Sequence, residues 1–377
     1  MSKSIIQSLV VSFLATVLSA CSWVIPTVFP LDNVPAPTGP HPVGSKILYW
    51  TDTARDEAFT QDVNDKRRLV VQIWYPTTPQ TGETMNYILK ADQRLGPLAD
   101  QIGIYQLFIA EMENIKTNAY LNAPLAPSDS RNGRALLMFS HGLGGTRNQN
   151  TVQAEELASH GYVVISADHA YDAYLTIFED GSTADYRSAA PGELTTEEFW
   201  AFRTPQLNTR TADLRFMLDT IASLQAEGDI FWQNVHATRV GAFGHSYGGA
   251  TSIMAAARDE RVAAVIALDG WTLPIPEATI DAGLHVPFLY LGQTSWTDPI
   301  NYQKLDRLMA ANQGVSRKRL LEGSRHSDFS DTPQFSPNAK RFNLIGEIPR
   351  ERLRGILNTE IRAFFDDHIR SPKKSLN

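Results

Sequence analysis

Cysteine is almost absent. Cys21 is the only one in 377 residues, so no disulfide can form within the chain. There is no basic run either: 34 Lys and Arg face 41 Asp and Glu, for a net charge of −7 and a pI of about 5.7, which argues against nucleic acid as a partner. No internal repeat and no low-complexity tract occurs, which sets aside solenoids and arrays. By length alone the chain would make two domains or slightly more, but α/β folds of this size often form one.

The one long apolar run lies at the N-terminus. Lys3 precedes Ile5 to Ala20, broken only by small or neutral polar residues, and the run ends Leu18-Ser19-Ala20-Cys21. This predicts a secretory signal over residues 1–20. Its ending resembles a bacterial lipoprotein signal, in which the cysteine is lipidated and becomes the mature N-terminus. The expectation is a protein held on a bacterial membrane of the cell envelope through lipidated Cys21, with its body outside the cytoplasm. The alternatives are an uncleaved anchor and an ordinary signal with an incidental cysteine. Residues 21–43 carry Pro26, Pro30, Pro35, Pro37, Pro40 and Pro42 and read as a proline-rich tether. The folded domain is expected over 44–370.

The stretch from Arg239 to Ala257 organises that domain. A short apolar run, Val240 to Phe243, meets Gly244-His-Ser-Tyr-Gly248, and a small-residue segment of high helix propensity follows. Strand, sharp turn and helix place Ser246 at the tip as a nucleophile, with glycines where the two backbones nearly touch. The helix beginning at Tyr247 points free N–H groups at the place where an oxyanion forms. His245 is expected to point away from Ser246 and to pack.

Around this turn the pattern is repeated strand and helix. Early antiparallel strands are predicted at Ile47 to Trp50 and Leu69 to Tyr75, and a strand, helix and strand at 135–139, 152–159 and 162–167. An amphipathic helix is expected from near Pro205 through Leu224. Buried strands follow at 262–268, 286–291 and 317–321, and a last helix from about Pro349 to Ile369. This is an α/β class with a mostly parallel central sheet and helices on both faces. Residues 84–128 form an insertion in which Leu98, Ile102, Tyr105, Ile109 and Met112 recur at helical spacing. That stripe reads as core packing, as a face resting on lipid, or as a cover over the mouth of the site.

The order Ser, Asp, His, each at the C-terminal end of a strand, is the α/β-hydrolase arrangement. His326 follows the last strand and is the candidate base, the alternative being a loop histidine paired with Asp328 or Asp331. His285 opens a strand, and His368 sits in the final helix. Asp269 leaves its strand directly, whereas Asp298 lies several residues past the next one, ahead of Pro299, where a turn or cap suits it. Ser140-His-Gly-Leu-Gly-Gly145 makes a glycine-rich turn whose Leu143 N–H can donate to an oxyanion. No Lys-Ser/Thr pair follows it, so it is not a P-loop. Asp168 and His169 are read as loop hydrogen-bonding groups, and the polar, aromatic segment 171–204 as a wall on the acyl or leaving-group side.

Five motifs carry a closer likeness: Phe139-Ser-His-Gly-Leu-Gly-Gly145, Leu157-Ala-Ser-His-Gly-Tyr162, Gly244-His-Ser-Tyr-Gly-Gly-Ala250, Ile266-Ala-Leu-Asp-Gly-Trp271 and Gly323-Ser-Arg-His326. With them the chain, from about His41 to Ile369, resembles the plasma-type platelet-activating factor acetylhydrolases, lipoprotein-associated phospholipases of α/β-hydrolase fold. The resemblance implies Ser246, Asp269 and His326 as triad, backbone N–H groups of Leu143 and Tyr247 as oxyanion donors, and an ester substrate, lipid included, with no metal or organic cofactor. Tyr247 stands where that family has phenylalanine, and residues 84–128 keep little of its membrane-docking sequence. Polyester and short-chain esterases of the cutinase or dienelactone hydrolase type are the nearest alternative. A non-catalytic, lipid-binding surface lipoprotein is the alternative of another class.

Overall fold

Alternate side chains of the central strands serve two different cores, and this requires a sheet covered on both faces. The computed structural model describes residues 30–128, 133–294, 296 and 298–370, with Phe342 as backbone only; Cys21 lies outside the described residues. The strands are β1 (Val43–Asp56), β2 (Lys66–Pro76), β3 (Ala119–Leu121), β4 (Arg134–Ser140), β5 (Val163–Asp168), β6 (Leu175–Ile177), β7 (Thr183–Asp185), β8 (Val235–His245), β9 (Val262–Leu268), β10 (Phe288–Gln293) and β11 (Ser316–Leu321). All but β6 and β7, which pair as a separate hairpin, join one sheet in the order 11-10-9-8-4-5-2-1-3. From β11 to β5 every neighbour is parallel, while β2 runs antiparallel to both β5 and β1.

The helices are α1 (Ala91–Ile102), α2 (Thr151–Ser159), α3 (Thr196–Ala226), α4 (Tyr247–Arg258), α5 (Glu277–Ala282), α6 (Ile300–Ala311), α7 (Thr332–Phe335) and α8 (Arg350–Phe365). On one face Val240 and Ala242 of β8 and Val265 and Ala267 of β9 meet Leu214 and Met217 of α3, Ile253 of α4 and Leu305 of α6. Phe243, Ala264 and Ile266, one residue out of phase, meet Leu157 of α2 and Leu353, Leu357 and Ile361 of α8 on the other. Both layers of helices are therefore needed to bury the same strands.

Three expectations are corrected. Helix α3 begins at Thr196, not near Pro205, because Thr195 and Glu198 form a reciprocal capping box, and Pro205 lies inside the helix. Its first turns hold Phe199, Trp200 and Phe202, which lack the apolar period of the rest. The stripe of the insertion is not one helix: Gly103 ends α1 in a left-handed conformation, and 3-10 turns follow at 106–108 and 110–114. Ile109 and Met112 enter a small core with Leu95 and Ala99, while Ile102, Tyr105, Leu107 and Phe108 are exposed. Finally, residues 30–42 of the expected tether lie against the body. Asp32 N–H donates to Phe335 O (2.8 Å), Val34 N–H to Lys116 O (2.9 Å), Thr38 N–H to Glu156 Oε2 (2.8 Å) and His41 N–H to Ser159 O (3.1 Å), and Val34 is buried. Prolines lack an N–H, but the residues between them supply donors enough to dock the strand-like segment.

Candidate active site

Strand β8 runs straight into α4, and the residue between them pays for the sharpness of the turn. Ser246 has φ 56° and ψ −120°, a region that costs a non-glycine residue about 1–3 kcal/mol. Three backbone bonds hold it there: its N–H donates to Leu268 O (3.0 Å) and its carbonyl accepts Trp271 N–H (2.9 Å) and Gly249 N–H (3.0 Å). A β-carbon on Gly248 would lie 1.9 Å from Ser140 O, so the elbow admits no side chain at that position. On the adjacent loop, a β-carbon on Gly142 would lie 3.2 Å from Ser246 Cβ. The glycine-rich turn therefore flanks the serine directly.

Three amides of that turn are committed. Gly142 N–H donates to Gln149 Oε1 (2.8 Å), Gly144 N–H to Asp172 O (3.0 Å) and Gly145 N–H to Gly142 O (3.1 Å). Leu143 N–H and Tyr247 N–H, at the first residue of α4, have no acceptor among the described residues. Both lie beside Ser246 and remain available.

Asp269 follows β9 immediately, with φ 44° and its N–H bonded to Leu291 O (2.6 Å). Its carboxylate is fully buried and satisfied by donors from β10 and the loop beyond. Oδ1 accepts from Gln293 N–H (3.1 Å) and Trp296 Nε1–H (3.0 Å), and Oδ2 from Gln293 Nε2–H (2.9 Å). Oδ2 also accepts from His326 Nδ1–H at 2.6 Å, across 57 residues of sequence. The carboxylate can only accept, so Nδ1 carries the proton and Nε2 has its lone pair free. His326 keeps 40% of its side chain exposed while Asp269 has none, so the outer half of the pair remains reachable.

The structure thus brings Asp269 and His326 together and bonds the other candidate carboxylates elsewhere. Asp298 Oδ1 accepts Ile300 N–H (2.9 Å) at the start of α6. Asp328 takes Arg325 N–H and Gly346 N–H, and Asp331 takes Val152 N–H and Tyr87 Oη–H. Ser246 Oγ forms no hydrogen bond among the described residues; in sites without substrate this contact is commonly long and tightens when substrate binds. His245 is buried as expected, but it does more than pack. Its Nε2–H donates to His326 O (3.0 Å) and the two rings lie 4.6 Å apart. Burial, and then the neighbouring His326, lower its pKa to about 3, so it stays a neutral donor.

Sequence reasoning missed the buried network that holds the glycine-rich turn. Arg210 of α3 donates to His141 O, to Ser140 Oγ (3.2 Å) and to Asp172 Oδ2 (3.2 Å), whose own backbone carbonyl receives Gly144 N–H. His169 donates Nδ1–H to Asp213 Oδ2 (2.8 Å) and faces Ser140 Oγ with Nε2 (3.0 Å). Burial, aided by Arg210, brings its pKa down to about 4. Asp213 is paired in turn with Arg67 (2.7 Å), whose guanidinium Asp213 and Glu57 hold charged against the cost of burial. Asp168 binds Arg147 through both its backbone N–H (2.8 Å) and its guanidinium, and Arg94 of α1 at 3.3 Å. Loop hydrogen bonding is therefore what Asp168 and His169 do. No local signal exposes such pairs, because the partners lie 10 to 146 residues apart.

Similarity to known proteins runs along almost the whole chain. Residues 27–374 match the family described as platelet-activating factor acetylhydrolase, isoform II. The chain is 24% identical over 369 residues to a platelet-activating factor acetylhydrolase of Gallus gallus, covering 89% of this chain and 84% of that protein. It is 26% identical over 376 residues to a probable 1-alkyl-2-acetylglycerophosphocholine esterase of Arthroderma benhamiae, covering 93% and 91%. The structure is similar to that of a ferulic acid esterase from Streptomyces cinnamoneus, with a TM-score of 0.72 and 28% identity over 90% of this chain and 93% of the other. With its elbow, its parallel sheet and this breadth of match, the chain belongs to the platelet-activating factor acetylhydrolase, isoform II, family and is a serine ester hydrolase of α/β-hydrolase fold.

Proposed function

We propose that Ser246 is the nucleophile, His326 its base, Asp269 the residue that orients the base, and Leu143 and Tyr247 N–H the oxyanion donors, in hydrolysis of esters with a short or compact acyl group. The single observation that carries this reading is the 2.6 Å bond from His326 Nδ1–H to a fully buried Asp269, which joins the loops after β11 and β9 on one side of the elbow strand β8. His326 Nε2 takes the Ser246 proton as Oγ attacks the ester carbonyl. The two amides receive the charge that develops on the carbonyl oxygen. His326 then protonates the departing alcohol, and water, activated by the same nitrogen, releases the acid from the acyl-enzyme. Each oxyanion donor is worth about 10²- to 10³-fold in kcat.

Acyl size follows from the aromatic wall. Trp271 is tied through its N–H to Ser246 O, lies 5.6 Å from the Tyr247 ring and 6.0 Å from Phe199 at the start of α3. Trp271 and Phe199 beside the nucleophile, with the buried Tyr247 ring backing Trp271, limit the acyl chain. Measuring kcat/KM for p-nitrophenyl acetate, butyrate, octanoate and an sn-2 acetyl phospholipid, all below their aggregation limits, tests it. Acetate or butyrate should be fastest among the p-nitrophenyl esters, and faster cleavage of octanoate would contradict the proposal. The relatives' names place acetyl phospholipid among the substrates to expect, and its turnover in the same series decides that point.

We also propose that Cys21 is lipidated and holds the enzyme on the envelope, from the Leu-Ser-Ala-Cys ending alone. Among the described residues no helix is long and apolar enough to cross a membrane. Cys21→Ser should leave an active protein that incorporates no labelled palmitate and leaves the membrane fraction. Equal labelling of wild type and variant would refute it.

A further inference from the structure

Arg203 is a buried cation with no carboxylate of its own. It is only 6% exposed, on the first half of α3, and its guanidinium lies 5.4 Å from the ring of Trp271, whose N–H donates to Ser246 O, and 5.9 Å from the ring of Tyr247, the residue after Ser246. Nη1 donates to Ser188 O (3.0 Å) and Gln206 Oε1 (2.8 Å), both neutral. Nε is buried without a partner, and Nη2, which is not shut off from solvent, donates to no described residue. Of the charged groups around it, Arg210 is already matched to Asp172, and no carboxylate among the described residues pairs with Arg203.

Removing a guanidinium from water is costly when only carbonyls and ring faces replace the solvent, and the cost is recovered when an anion with two oxygens meets the free edge of the fork. Arginine is the side chain suited to that pairing. Among the described residues four of the other five buried arginines have a carboxylate: Arg67 has Asp213 and Glu57, Arg94 and Arg147 share Asp168, and Arg210 has Asp172. Arg134, the remaining one, is tied to backbone carbonyls away from the cleft.

We propose that Arg203 is a specificity residue of the ester hydrolase, binding a carboxylate or phosphate carried by the substrate close to the scissile bond. This rests on the reading of Ser246 as nucleophile. Anion and ester then both lie beside Trp271, and the substrate's own charge fills the place that a protein carboxylate fills for Arg67, Arg94, Arg147 and Arg210.

The test compares three soluble esters: p-nitrophenyl butyrate, which is neutral, mono-p-nitrophenyl glutarate, anionic on the acyl side, and 2-acetoxyethyl phosphate, anionic on the alcohol side and set against 2-methoxyethyl acetate. In wild type, at least one anionic ester should exceed its neutral counterpart in kcat/KM, and which one does so tells on which side the anion sits. Arg203→Gln should reduce that ratio by about 10- to 100-fold, the range for a charge-assisted hydrogen bond, and Arg203→Lys should keep most of it. Absence of any anion preference in wild type overturns the proposal, with no need for a folded variant. So does an equal slowing of neutral and anionic esters by Arg203→Gln, because Arg203 then only anchors Ser188 and Gln206. Stoichiometric fluorophosphonate labelling of wild type separates the two readings: labelled enzyme with no anion preference leaves the nucleophile standing and removes the anion subsite alone.

Discussion

Replacing Ser246 with alanine is expected to lower kcat by about 10⁶-fold on any ester the enzyme cleaves, while the protein stays folded. The size of the effect follows from the chemistry. Without Oγ there is no acyl-enzyme, and His326 has no hydroxyl to deprotonate, so Asp269 and His326 lose their purpose together. What survives is hydrolysis by water helped only by the amides of Leu143 and Tyr247. The fold is expected to tolerate the change because Ser246 Oγ makes no hydrogen bond among the described residues, and the strained backbone is held by bonds with Leu268, Trp271 and Gly249 that alanine retains. Steady-state assays with p-nitrophenyl butyrate and circular dichroism check both halves. A loss below about 10³-fold in a folded variant would assign the nucleophile elsewhere.

Asp269→Asn should cost about 10⁴-fold in kcat. Among the described residues Asp269 Oδ1 and Oδ2 accept from five donors, Gln293 N–H, Trp296 Nε1–H and Tyr290 Oη–H on Oδ1, and Gln293 Nε2–H and His326 Nδ1–H on Oδ2. An amide in the same place must turn its NH2 toward one of those donors. Toward His326 it forces the proton onto Nε2, the wrong tautomer for accepting the Ser246 proton. The backbone donor of Gln293 and the indole of Trp296 hold the carbonyl oxygen on their side, so the amide nitrogen is the atom left facing His326. Asp298→Asn, by contrast, keeps an oxygen for Ile300 N–H and should change kcat by no more than a few-fold. The reverse order of effects, with both proteins intact, would remove Asp269 from the triad.

The parts of the site legible in sequence were those written locally. The apolar run Val262 to Leu268 is β9 from end to end, because a strand buried on both faces needs every residue apolar and Asp269 breaks the run. The Gly-His-Ser-Tyr-Gly turn was equally plain from its local composition, although the backbone that Gly248 must clear is that of Ser140, far earlier in the chain. Elements whose cause lies at a distance were not. The start of α3 hides in a polar, aromatic stretch, because its capping box is a pair of exposed side chains, and its first turns face the site instead of the core. The exposed residues of the insertion keep helical spacing although Gly103 has ended the helix before them. His245, read as packing, proves to grip the backbone of His326, a contact across 81 residues. Arg67, Arg210 and Asp213 look like surface charges in sequence. Only the folded chain reveals that they are buried, paired and set beneath the glycine-rich turn.

The central claim is that one serine at the elbow carries the covalent step. Its most direct test is mass spectrometry of the intact protein after reaction with a fluorophosphonate, followed by peptide mapping. Wild type should gain a single adduct on the peptide containing Ser246, Asp269→Asn should react far more slowly at the same residue, and Ser246→Ala should gain none. An unmodified wild type, or an adduct that persists on Ser246→Ala, would contradict the account.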